Sequence, residues 1–151
     1  MLVVESLVDA FDRSVRAAVF EHLMAGSLGP TPPDIAKRTG HSAGRVAESF
    51  QRLLAEHRLV LSSRGDRVVM AHPFSGLPTD YRSEIGDQRW WANCAWDAFA
   101  ILALLGDGKV HSRSEEGTES TWTVRNGVVR PDGLVHFVIP ARRFWDDIGF
   151  T

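Results

Sequence analysis

The sequence predicts an α+β fold: an N-terminal winged-helix-like region of three helices and a hairpin, then a C-terminal region of one central helix with antiparallel strands. Three observations predict it. Apolar residues recur at helical spacing through residues 4–54. In the second half, short β-branched runs are separated by Gly-Asp, Asn-Gly and Pro-Asp-Gly turns. A single apolar helical stretch, Cys94 to Leu105, interrupts those runs.

The elements follow in order. Val4, Leu7, Val8, Phe11, Val15, Ala18, Val19 and Leu23 form one apolar stripe, which predicts an amphipathic helix stopping near Gly26. Thr31 suits an N-cap, Pro32 the first helical position and Asp34 the third position of a capping box, so a short second helix runs to Gly40. Ser42 caps a third helix whose stripe is Val46, Phe50, Leu53 and Leu54. Leu59–Leu61 and Val68–Met70 flank Ser63-Arg64-Gly65-Asp66 and predict a hairpin. The order helix, helix, helix, hairpin is that of a winged helix.

Residues 72–78 are rich in proline and glycine. The expected organisation is therefore a helical region at 1–72, a linker at 73–80 and an α+β region at 81–151. Tyr81–Ile85 and Arg89–Trp91 pair across Gly86-Asp87. Cys94–Leu105 is helical, with Asn93 as N-cap and Gly106 just past its end. Strands are expected at Lys109–His111, Glu119–Val124, Val128–Val129 and Leu134–Ile139.

Composition excludes several classes. Of 151 residues, 44% are hydrophobic and 24% charged, which rules out a disordered tail. The net charge of −2 is unlike that of a protein held to DNA by its phosphates. Residues 1–72 carry nine Lys/Arg and eight Asp/Glu, a net of +1. Arg45, Glu48, Arg52 and Glu56 on the third helix read as a solvated face with i,i+4 pairing, in preference to a recognition helix over Ser42–Arg58. A winged-helix DNA-binding regulator is kept as the alternative, and no nucleic-acid partner is expected. No apolar run approaches the ~18 residues of a membrane span. Glu5 and Asp9 interrupt the apolar N-terminus, so a cytoplasmic protein without a signal peptide is expected. The single cysteine, Cys94, excludes an internal disulfide and a multi-cysteine zinc site. None of the six histidines has ligand spacing, and each reads as a surface or core residue.

The segment Trp90-Trp91-Ala92-Asn93-Cys94-Ala95-Trp96-Asp97 is the most informative. In the first turn of a helix, free N–H groups and the dipole favour a thiolate and lower a thiol pKa. Asp97, three residues on, shares a face with the sulfur. Such a pair combines a soft nucleophile or metal ligand with a proton donor or acceptor. On spacing alone the plainer reading is favoured: Cys94 as a small buried hydrophobe and Asp97 as a helix-start acid. The tryptophans at 90, 91, 96, 122 and 145 are core residues or an apolar wall around the thiol.

Asn93-Cys94-Ala95-Trp96-Asp97-Ala98, followed by Ala103-Leu104-Leu105-Gly106, resembles the alkylmercury lyase family. The preceding helix–hairpin arrangement and the 72–81 segment resemble that family's N-terminal region. The likeness spans nearly the whole chain and is most specific from Trp91 to Gly106. It implies protonolysis of a carbon–mercury bond, releasing a hydrocarbon and Hg(II), without an organic cofactor. It places Cys94 as the mercury-binding nucleophile. Asp97 becomes the thiol-activating base and proton donor, and a second contact for mercury. The partners implied are a small organomercurial and Hg(II). Mercury is soft and prefers sulfur, so thiolate coordination weakens the Hg–C bond. The resemblance also implies a second cysteine, after a segment like Phe144-Trp145-Asp146-Asp147-Ile148-Gly149-Phe150. The sequence has one cysteine and ends at Thr151. Three readings stay open: a piece of a longer lyase, a relative that has lost the two-thiolate mechanism, or a non-catalytic metal-binding relative.

Overall fold

In the computed structural model, which describes residues 9–149, the first helix starts with a reciprocal cap. Asp12 N–H donates to the Asp9 carboxylate at 2.8 Å, and Asp12 Oδ2 accepts from Asp9 N–H at 3.5 Å. Helix α1 is Ala10–Met24. The part of the expected stripe at Val4, Leu7 and Val8 lies outside the described residues. Helix α2 is Pro32–Thr39, held at its start by the Asp34 carboxylate, which accepts from the Thr31 N–H at 2.9 Å and its hydroxyl at 2.6 Å. Helix α3 is Ala43–Ala55, and Ser42 Oγ caps it by accepting from Arg45 N–H.

A three-stranded antiparallel sheet follows: β1 Val60–Leu61, β2 Val68–Ala71 and β3 Phe74–Ser75, in that order. The third strand departs from expectation. It lies in the segment read as a linker, because a two-residue strand among prolines and glycines leaves no alternation to detect. Gly29 and Gly76 allow this sheet to close on the loop before α2. A Cβ on either would fall inside van der Waals contact with the Val68 carbonyl oxygen. In their place runs a backbone hydrogen bond, Gly29 N–H to Gly76 O at 2.8 Å.

The second sheet has five antiparallel strands in the order β5-β4-β6-β7-β8. They are β4 Tyr81–Ile85, β5 Gln88–Trp91, β6 Gly108–Arg113, β7 Glu119–Arg125 and β8 Val128–Arg130. Helix α4, Ala95–Leu105, packs on β4 and β6 through Ala98, Ile101 and Leu102. The α+β class expected from the sequence is the class observed. The strand expected at Leu134–Ile139 is absent. After Pro131, which lacks an N–H to donate, the chain leaves the sheet edge and runs irregularly to a 3₁₀ turn at Ala141–Asp146.

One apolar core joins the two sheets. Val15, Val19, Phe50 and Leu53 from the helices share it with Phe74, Trp90, Ala98, Ile101 and Val110. Trp90 Nε1–H donates to the Met24 carbonyl at 2.8 Å, tying β5 to the end of α1. An isolated antiparallel bridge between Phe74 and Ala92 connects the sheets directly. That bridge sets the chain just before β3 against the chain just before α4.

Candidate active site

Cys94 and Asp97 meet at the start of α4, with one correction to the expected cap. Cys94, not Asn93, is the N-cap: its backbone is extended (φ −152°, ψ 178°) and its sulfur accepts from the Asp97 N–H at 3.5 Å. Asn93 is freed from capping and turns its amide elsewhere.

The expected lowering of the thiol pKa is also corrected. Burial pushes the Cys94 thiol up, and the neighbouring Asp97 carboxylate pushes the same way. The N–H groups of Asp97 and Trp96 oppose them without prevailing. At neutral pH Cys94 therefore carries its proton.

Asp97 is held by His72, which sequence reasoning does not single out, and by Asn93, which it reads only as a helix cap. Its Oδ2 lies 3.1 Å from His72 Nδ1 and accepts from Asn93 Nδ2 at 2.9 Å. The Asp97 side chain is 14% exposed and that of His72 44%. Asn93 Nδ2 also approaches the carbonyls of Pro73 and Phe74, at 3.4 and 3.3 Å. No local pattern signals His72, which stands 25 positions before Asp97 in a segment read as a linker. The Phe74–Ala92 bridge, with the Asn93 contacts to the Pro73 and Phe74 carbonyls, brings the two together.

A cavity of about 790 Å³ opens beside the pair. Met70, His72, Tyr81, Asn93, Cys94, Trp96 and Asp97 line one side. Phe137, Val138, Ile139, Phe144 and Ile148, from the irregular segment and the 3₁₀ turn, line the other. Of the two readings of the tryptophans, core or wall, the wall one does not hold here, since phenylalanine and aliphatic side chains make up most of the apolar lining. Trp96 alone of the five reaches this cavity, and it is 58% exposed. Trp90 is in the core, Trp122 packs edge-on to Phe99, and Trp145 stacks on His57 with centroids 4.1 Å apart.

Among the described residues no group of three or more His, Cys, Asp or Glu could hold a resident metal ion. No helix there is long and apolar enough to cross a membrane. The charged face expected on α3 is partly engaged within the fold. Arg52 binds the buried Asp12 carboxylate, and Arg45 lies over the Phe11 ring at 4.5 Å.

Comparison with known proteins agrees with this architecture. The family model for alkylmercury lyase (MerB) matches residues 74–150. Among solved structures, the mercury-bound form of MerB2 superposes with a TM-score of 0.64 at 24% sequence identity. The match covers 83% of this chain and 63% of that one, so this chain spans less than two thirds of the MerB2 chain. No curated protein matches the sequence.

Proposed function

The chain belongs to the alkylmercury lyase family, and on that premise we propose that it captures organomercurials on Cys94 and cleaves their carbon–mercury bond with a proton carried by Asp97. The observation that carries this reading is a thiol and a carboxyl group side by side on the wall of a largely apolar cavity, where burial pushes the thiol up. Cys94 supplies the soft donor that mercury prefers. Phe137, Phe144 and Ile148 supply a dry surface for the organic group.

The proton balance closes within the pair. Cys94 gives its thiol proton to the Asp97 carboxylate as sulfur bonds to mercury, and the anion previously on mercury departs. Asp97 then passes that proton to the carbon. The Hg–C electron pair becomes the new C–H bond, the hydrocarbon leaves, and Hg(II) stays on the Cys94 sulfur. The product ion still needs a further soft donor, and a thiol from solution can provide it in this single-cysteine sequence. No organic cofactor enters any step.

Single-turnover assays with phenylmercury and a small added thiol test the reading. Cys94→Ser should abolish capture. Asp97→Ala should leave capture intact and stop benzene release. Capture by Cys94→Ser equal to that of the unaltered chain rejects the assignment.

A further inference from the structure

We propose that His72 and Asn93 are positioning residues for Asp97, clamping one carboxylate oxygen so that the other is left to carry the proton. The proposal rests on the reading of Asp97 as proton carrier. An aspartate on the first turn of a helix can swing through several rotamers, and only some point toward the neighbouring sulfur. Here Oδ2 receives both donors, from His72 at 3.1 Å and Asn93 at 2.9 Å. Oδ1 takes no hydrogen bond among the described residues.

The two donors come from separate places in the chain, one beside β3 and one before α4. Their joint grip therefore fixes position as well as direction. Asn93 Nδ2 lies 3.4 Å from the same His72 nitrogen, but its shorter contact is to Asp97. Because a carboxylate only accepts, the closer His72–Asp97 contact calls for Nδ1–H, which leaves Nε2 of the neutral ring as the acceptor.

Asn93 supports the same conclusion independently. Its Oδ1 is buried without a hydrogen-bond partner among the described residues, an arrangement that costs stability. Turning the amide over would place that oxygen against the Asp97 carboxylate and the carbonyls of Pro73 and Phe74. The unpartnered oxygen is thus the consequence of directing the NH₂ group at Asp97. His72, by contrast, is 44% exposed and adds little to the core, so packing alone does not explain its contact.

Two measurements test this. Long-range ¹H–¹⁵N NMR of the neutral imidazole should show His72 protonated on Nδ1, the less populated form in free histidine. The Asp97→Ala variant should revert to the Nε2–H form. In single-turnover assays with phenylmercury and a small thiol, His72→Leu should slow benzene release roughly tenfold to a hundredfold while capture stays stoichiometric. His72→Asn, which returns an N–H donor to the δ position, should recover most of that rate. Cleavage by His72→Leu at the unaltered rate, or an Nε2–H imidazole in a chain that cleaves normally, overturns the positioning role. Absence of benzene from the unaltered chain overturns the cleavage reading itself, and the role assigned here with it.

Discussion

The backbone N–H of Asp97 points at the sulfur of Cys94 over 3.5 Å, while the carboxylate of the same residue raises that sulfur's hold on its proton. The N–H favours a thiolate and the carboxylate disfavours it. Burial is the largest influence and acts with the carboxylate, so the thiol form wins at neutral pH. A cysteine in this setting is a poor spontaneous nucleophile, and it gives up its proton to its neighbour only as mercury bonds to the sulfur. Its reaction with mercury is correspondingly coupled to Asp97.

The rate of Cys94 alkylation should therefore rise with pH through a midpoint above the ordinary thiol value. Asp97→Asn removes one of the two raising influences and should move the midpoint down, still short of an exposed thiol because burial persists. An unchanged or higher midpoint in Asp97→Asn would show that the carboxylate does not act on the sulfur.

Phenylmercury should form a 1:1 adduct with the chain, visible by mass spectrometry, since one Hg–S bond needs one deprotonated cysteine. Without added thiol, benzene release should be slow or absent. The alternative donors, Asp97 and water, are harder ligands that stabilise the mercury product poorly. Sustained benzene production by this sequence in thiol-free buffer would refute the need for a second sulfur.

Asp12 and Arg52 link α1 to α3. Asp12 is fully buried and receives two close contacts from Arg52, at 2.8 and 2.9 Å, and one from the Ser49 hydroxyl at 2.6 Å. Burial alone would raise this carboxyl, but Arg52 and Ser49 outweigh it and hold it below the usual range. Arg52→Ala strands a buried charge and should cost on the order of 3 kcal/mol in urea unfolding. Because the folded pKa is depressed, the stabilisation is present above about pH 4, the ordinary aspartate value, and is lost as pH falls through the folded value. Asp12→Asn should accordingly be less stable at neutral pH, with a shallower loss of stability in acid. A parallel acid limb in the two proteins would argue against this linkage.

Gly29→Ala should destabilise the fold by about 3 kcal/mol, at the upper end for forced overpacking. Its methyl group would meet backbone, the Val68 carbonyl, with no flexible side chain to move aside. Gly44→Ala is the control, since a methyl group there would meet nothing within 4 Å and the residue is already helical. Equal melting temperatures for the two variants would contradict the close approach.

No salt-dependent mobility shift with duplex DNA is expected at physiological ionic strength. Arg52 is bound to Asp12 and Arg45 covers Phe11, so α3 offers little free cationic surface, and the chain's net charge is −2. A shift that weakens steeply with salt would favour the regulatory alternative.

Local chemistry was enough to read α2, α3, the hairpins and α4 from the sequence, because caps, turns and apolar periodicity act over a few residues. Thr31 and Asp34, Ser42, and Gly86-Asp87 all behave in the structure as their types suggest. The pairing of Cys94 with Asp97 was legible for the same reason, since three residues on a helix start are neighbours in any fold. Tertiary structure alone decided the rest. The partnership of Asp97 with His72 depends on a bridge between Phe74 and Ala92, and that of Asp12 with Arg52 on how α1 crosses α3. The raised thiol of Cys94 was likewise invisible, because burial is set by what packs around a residue. A helix-start position argues for a thiolate, but a buried sulfur beside a carboxylate keeps its proton.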